Sequence, residues 1–150
     1  MARDIVFFLA PDNVTAATTY LRGPGVGLDS VSCRFLEPDT AIAEWDMFFE
    51  APSAEAPTDE QLFRWVWPDY VREPMNDGVE IFAVPARLTR ALANASPAEL
   101  EELAGRWIER LRAADGDDMT DDDLPAVLRE VARLAKTAME TGGGLYSWSY

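Results

Sequence analysis

A chain of 150 residues with 27 acidic against 13 basic side chains carries a formal charge of −14, a field that repels nucleic-acid phosphates and anionic membrane surfaces, so neither is expected as a partner. Its 48% hydrophobic and 27% charged content is that of a globular chain, which at this length buries roughly 70% of the surface it exposes unfolded and needs no staples. The absence of histidine removes serine–histidine and cysteine–histidine catalysis, imidazole acid–base work and imidazole zinc sites; the single Cys33 removes internal disulfides and thiolate zinc clusters.

The lone cysteine fits a reducing cytosol. Met1 to Arg3 lead directly into the apolar run Ile5 to Ala10, which is shorter than a signal peptide's hydrophobic region and far short of a membrane span, so a cytoplasmic location is expected. Lys136 is the only lysine, and alanine and aspartate are abundant. That bias suits a GC-rich genome or a salt-adapted host, either of which explains the acidity without a partner.

In chain order, Asp4 to Leu9 is short, apolar and bounded by Pro11, which reads as a buried, central strand. Asp12 can cap a helix through about Leu21, and Gly23-Pro-Gly-Val-Gly27 is a turn or loop; with no lysine after it and the wrong spacing, it is no phosphate cradle. Val31 to Leu36 is a second strand, with Cys33 packed inward and Arg34 on the opposite face. A helix from Pro38 to Phe49 puts Ile42, Trp45, Phe48 and Phe49 on one core-facing stripe.

Ala51 to Pro57 reads as a surface loop that does not divide the fold. From Gln61 to Met75 the periodicity is ambiguous, and Arg64 to Trp67 reads as a strand ended by Pro68, which places Trp65 and Trp67 on one face. Asn76-Asp-Gly78 signals a turn into a hairpin strand, Val79 to Val84, with Val79, Ile81 and Ala83 opposite Phe82 and Val84. Pro85 ends it, and Leu88, Ala91, Leu92 and Ala95 follow at helical spacing.

Ser96-Pro-Ala-Glu99 is a capping box with proline at the first helical position. The helix it opens carries Leu100, Leu103, Ala104, Trp107, Ile108 and Leu111 on one face, and a last helix repeats the pattern from Leu124 to Ala138. Gly142-Gly-Gly144 stops that helix, and Leu145-Tyr-Ser-Trp-Ser-Tyr150 alternates at period two as a half-buried closing strand. The elements predict one α+β domain, residues 1–150, with several helices on a small mixed sheet that includes the N- and C-terminal strands.

The run Val79 to Leu92, the stretch Ala98-Glu-Leu-Glu-Glu-Leu-Ala-Gly-Arg-Trp107 and the ending Gly-Gly-Gly-Leu-Tyr-Ser-Trp resemble small uncharacterised bacterial proteins and, distantly, the YfbM-like family. The resemblance covers about the last half of the chain. It implies a mixed helix and sheet architecture and transfers no activity and no catalytic residue.

Candidate chemistry is sparse. The acidic loop Asp115 to Asp123 fails as an EF-hand, because the sixth position, Thr120, stands where glycine is needed; it reads as a helix connection, with Thr120 to Asp122 capping the last helix. The carboxylate pairs Glu101 with Glu102 and Asp46 with Glu50 would serve a glycosidase-like mechanism only inside a cleft. No catalytic residue, metal site or cofactor is assigned.

The leading expectation is a non-catalytic binding protein, of the immunity or antitoxin-like inhibitor type, that covers a basic protein partner. Its candidate contact residues are the aromatic cluster Trp65, Trp67 and Tyr70 and the acidic residues Asp117, Asp118, Asp121, Asp122 and Asp123. The alternative is a small-molecule or metal-binding enzyme working with carboxylates and no histidine. A small-ligand binder or assembly subunit stands behind both, and the residues leave the oligomeric state open.

Overall fold

The structure is a computed structural model that describes residues 3–19, 28–35, 38–65, 69–71, 78–115 and 123–150. Strand β1 (Arg3–Ala10) leads through α1 (Asn13–Ala17) to β2 (Ser30–Phe35). Two helices follow, α2 (Pro38–Glu50) and α3 (Asp59–Arg64), then the short β3 (Asp69–Tyr70) and β4 (Glu80–Ala83). Three helices, α4 (Ala86–Asn94), α5 (Pro97–Asp115) and α6 (Leu124–Thr141), precede β5 (Gly144–Ser149).

The strands form one five-stranded sheet in the order β2-β1-β5-β4-β3. Every described pairing is antiparallel, so the expected mixed sheet is corrected: each helical excursion returns the chain next to a strand running the other way. The two strands nearest the chain ends pair with each other, Phe7 opposite Ser147 and Ile5 opposite Ser149, and β5 then pairs with β4. The period-two ending is therefore an interior strand covered on both faces, more buried than the half-buried strand its alternation suggests.

The pleat sorts side chains into two layers. Ile5, Phe7, Cys33, Phe82 and Leu145 face the helices, where they join Trp45, Leu88, Leu92, Leu103, Trp107, Leu128 and Leu134 in the main core. At its centre Phe7 meets Trp45 at 5.5 Å between ring centroids, and Trp45 meets Trp107 edge-on at 5.0 Å. Each fully buried Leu or Phe of this layer stabilises the fold by roughly 1.5–3 kcal/mol. On the opposite face Phe8, Ala10, Ile81 and Tyr146 pack with Ala16 of α1, and the Tyr146 hydroxyl donates to Asn13 Oδ1 at 2.8 Å.

Local signals account for most boundaries. The Ser96 and Glu99 capping box forms in both directions, Glu99 N to Ser96 Oγ at 3.1 Å and Ser96 N to Glu99 Oε1 at 2.9 Å. Gly142 ends α6 with φ of 75°, the left-handed cap that favours glycine. Asp12 caps α1 through Thr15 N, as its position predicts. That helix stops at Ala17 rather than near Leu21, because the Thr18 and Thr19 hydroxyls turn back onto the carbonyls of Thr15 and Ala16 and tighten the last turn.

Two expectations are corrected. Arg64 and Trp65 are not in a strand: Thr58 and Gln61 form a second capping box that opens α3, and Trp65 is its C-cap. The strand of this region is Asp69–Tyr70, paired to Ala83 and Phe82. The cap of α6 is Asp123, whose Oδ1 accepts from Ala126 N at 3.2 Å, instead of Thr120 to Asp122.

Candidate functional site

Helix α2 carries the feature that organises the surface. Its residues Ala41 to Asp46 are all buried, including two carboxylates, Glu44 and Asp46. At 100° per residue these flank the Trp45 stripe on opposite sides, so they reach different neighbours.

Glu44 turns to α5. Its Oε2 accepts from Arg110 Nε at 2.8 Å, while its Oε1 is buried with no hydrogen-bond partner among the described residues. Burial raises the Glu44 pKa above the ordinary glutamate value, and the neighbouring Arg110 opposes that rise only in part. Arg110 also reaches Asp59 Oδ1 through Nη1 at 2.6 Å and the Pro57 carbonyl through Nη2. One turn earlier on α5, Arg106 donates to the Ser53 carbonyl at 2.7 Å, pairs with Glu102 at 3.3 Å, and lies 5.4 Å above the Phe48 ring. The two arginines thereby clamp the exposed segment 51–59 onto α5.

Asp46 turns to α4 and to the end of α3. It receives Arg87 on both oxygens, Nε at 3.1 Å and Nη2 at 2.7 Å, and the Trp65 indole Nε1 at 2.8 Å. Arg87 is pushed further above its ordinary value, chiefly by the hydrogen bonds it donates to Asp46. The anticipated pairing of Asp46 with Glu50 is not a catalytic dyad, since Asp46 is buried against an arginine and Glu50 is exposed. Glu101 and Glu102 are likewise exposed, and Glu102 pairs with Arg106.

Where segment 51–59 meets α5 there is a shallow cleft of about 400 Å³, lined by Thr58, Asp59, Arg106, Glu109 and Arg110 among others. Here the charges are layered. The side chains of Arg106 and Arg110 are 16% and 14% exposed, whereas their partners Glu102 and Asp59 are 60% and 93% exposed. The guanidinium groups lie beneath and the carboxylates above, so the side that meets solvent is acidic.

No protein-family model, curated protein or solved structure matches the chain.

The sequence-predicted contact residues are dispersed. Trp65 is half-buried, with its indole committed to Asp46. Tyr70 lies in β3, and Asp123 caps α6. Trp67, Asp117, Asp118, Asp121 and Asp122 lie outside the described residues. Among the described residues no group of three or more Cys, Asp or Glu is placed to hold a metal ion, and no helix is long and apolar enough to cross a membrane.

Sequence reasoning missed Glu44, Arg87, Arg106 and Arg110. A usable signal was present: Glu44 and Asp46 bracket Trp45 on a helix whose stripe is apolar, and a carboxylate beside a core position requires a cationic partner from another element.

Proposed function

We propose that this chain is a non-catalytic binding protein that engages a basic protein partner, in the manner of an immunity-type or antitoxin-like inhibitor. The observation that supports this is the layering on α5 and segment 51–59. Arg106 and Arg110 are spent beneath the surface, Glu102 and Glu109 of the same helix stand beside them, and Asp59 stands over Arg110 at the end of the segment that the arginines hold. An ordered face of one sign steers a partner of the other sign and fixes its orientation, at little entropic cost on docking. The carboxylate enzyme is less well supported, since the two carboxylates buried among the described residues are both occupied by arginines rather than facing a cleft.

The test is affinity capture from the native host, followed by binding of the purified captured protein to wild type and to an Asp59→Asn, Glu102→Gln, Glu109→Gln variant. The reading expects a basic protein, bound at least tenfold more weakly by the variant and more weakly as salt rises. Equal binding by the variant, or capture of nothing by a folded bait, overturns it. Trp67, Asp117, Asp118, Asp121 and Asp122 are to be substituted in parallel as further candidates for the same interface.

A further inference from the structure

A different cleft, of about 550 Å³, opens between the end of β4, the start of α4 and the turn from α6 into β5. Val84, Met139, Leu145 and Tyr146 supply apolar wall. Arg87 and Arg90 are its charged lining residues, and no carboxylate is among the described residues that line it, in a chain with 27 acidic residues against 13 basic ones.

Both arginines are equipped to receive an anion. The bidentate contact with Asp46 uses Nε and Nη2 of Arg87 and fixes the guanidinium plane, which leaves Nη1 without an acceptor among the described residues. Asp46 is itself fixed by Trp65 Nε1. Arg90, one turn along α4, is exposed and makes no ion pair or hydrogen bond among the described residues. Helix α4 begins at this cleft with Pro85 at its cap position, no capping side chain and no acidic residue in its first turn, so the local backbone field adds to the positive side.

We propose that this cleft binds a small organic carboxylate, with the charged head on Arg87 and Arg90 and an apolar body against Val84, Met139 and Leu145. A guanidinium fork matches carboxylate geometry, and the volume is that of ordinary small-ligand sites. The cleft shares no residue with the acidic face of α5, so failure of either reading leaves the other standing.

The experiment is a methionine-methyl NMR titration of the full chain with octanoate, with 1-octanol and inorganic phosphate as comparison probes. The expected result is a saturable shift of the Met139 methyl with octanoate, at least tenfold weaker with 1-octanol and with phosphate. Arg90→Gln weakens octanoate binding at least tenfold, and Met139→Glu, scored on the α4 backbone amides, does the same by placing a like charge at the rim. Both positions are exposed, so the folded state is retained and is checked by circular dichroism. An absent or non-saturable shift overturns the proposal, as does equal binding of 1-octanol, equal binding of phosphate, or undiminished binding by Arg90→Gln.

Discussion

Glu44 of α2 and Arg110 of α5 meet at 2.8 Å beside the Trp45 and Trp107 contact, and only one of the two carboxylate oxygens has a partner among the described residues. Burial raises the folded-state pKa of Glu44 above its ordinary value of 4.5. The folded chain therefore holds that proton more tightly than the unfolded chain does. This contribution to stability is complete below about pH 4.5 and is lost as pH rises through the raised folded value. At pH 7 Glu44 thus costs stability relative to a neutral isostere. Glu44→Gln keeps an acceptor for Arg110 Nε, and Arg110 keeps Asp59, so no charge is stranded. The variant is expected to be at least as stable as wild type at pH 7 in urea unfolding, with the difference shrinking toward pH 4.5. A clear loss of stability at pH 7 that persists at low pH would refute this account.

Asp46 joins three elements through one carboxylate, which makes its coupling measurable. Asp46→Asn and Arg87→Gln each break the bidentate contact, and Asp46→Asn also weakens the bond from Trp65. A double-mutant cycle is expected to return a measurable coupling, larger than an exposed ion pair gives, because the Asp46 end is buried although Arg87 is partly solvated. Additive single effects would mean that the contact contributes nothing beyond its parts.

The triple glycine shows how far a sequence signal reaches. Gly142-Gly-Gly144 reads correctly as a helix stop, yet only Gly142 performs it, at φ of 75°. Gly143 serves another purpose: a Cβ there would lie 2.9 Å from the Ala10 carbonyl oxygen, on the strand beside β5. Gly143→Ala is expected to cost about 1–3 kcal/mol through this backbone clash, and Gly142→Ala about 1–2 kcal/mol through its left-handed conformation. Thermal unfolding of both distinguishes them from Gly105→Ala on α5, where a Cβ meets nothing and helix propensity makes the change stabilising.

What the sequence revealed and what it hid divide along the same line. Caps, stops and apolar stripes depend on residues a few positions apart, and so Ser96 with Glu99, Gly142, and the stripe Ile42, Trp45 and Phe48 were legible. The box of Thr58 with Gln61 had the same form and went unread because the aromatic run beyond it, Arg64 to Trp67, resembled a strand. The links from Glu44 to Arg110 and from Asp46 to Arg87 span 66 and 41 residues. No local periodicity encodes such pairs; only the packing of α2 between α4 and α5 creates them. The acidic face is hidden in part for the same reason: Glu102 with Arg106 is a local pair on α5, but Asp59 reaches Arg110 across 51 residues.

The alternation that marked β5 as a strand also placed two serines where the core is tightest. Ser147 sits opposite Phe7 on β1 and Phe82 on β4, on the side that faces the helices, fully buried with no hydrogen-bond partner for its hydroxyl among the described residues. A buried hydroxyl without a partner has given up hydration for nothing, at a cost of about 1–3 kcal/mol. Alanine removes that oxygen and leaves a void no larger than the oxygen itself, so part of the gain is offset by lost contacts. Ser147→Ala is therefore expected to stabilise the chain by about 1 kcal/mol and to raise Tm by about 2–4 °C. Calorimetry of the purified variant decides the matter. A fall in Tm would mean that the hydroxyl is satisfied in solution, and Ser149→Ala, whose Oγ is buried under the same conditions against Ile5, should then fall with it.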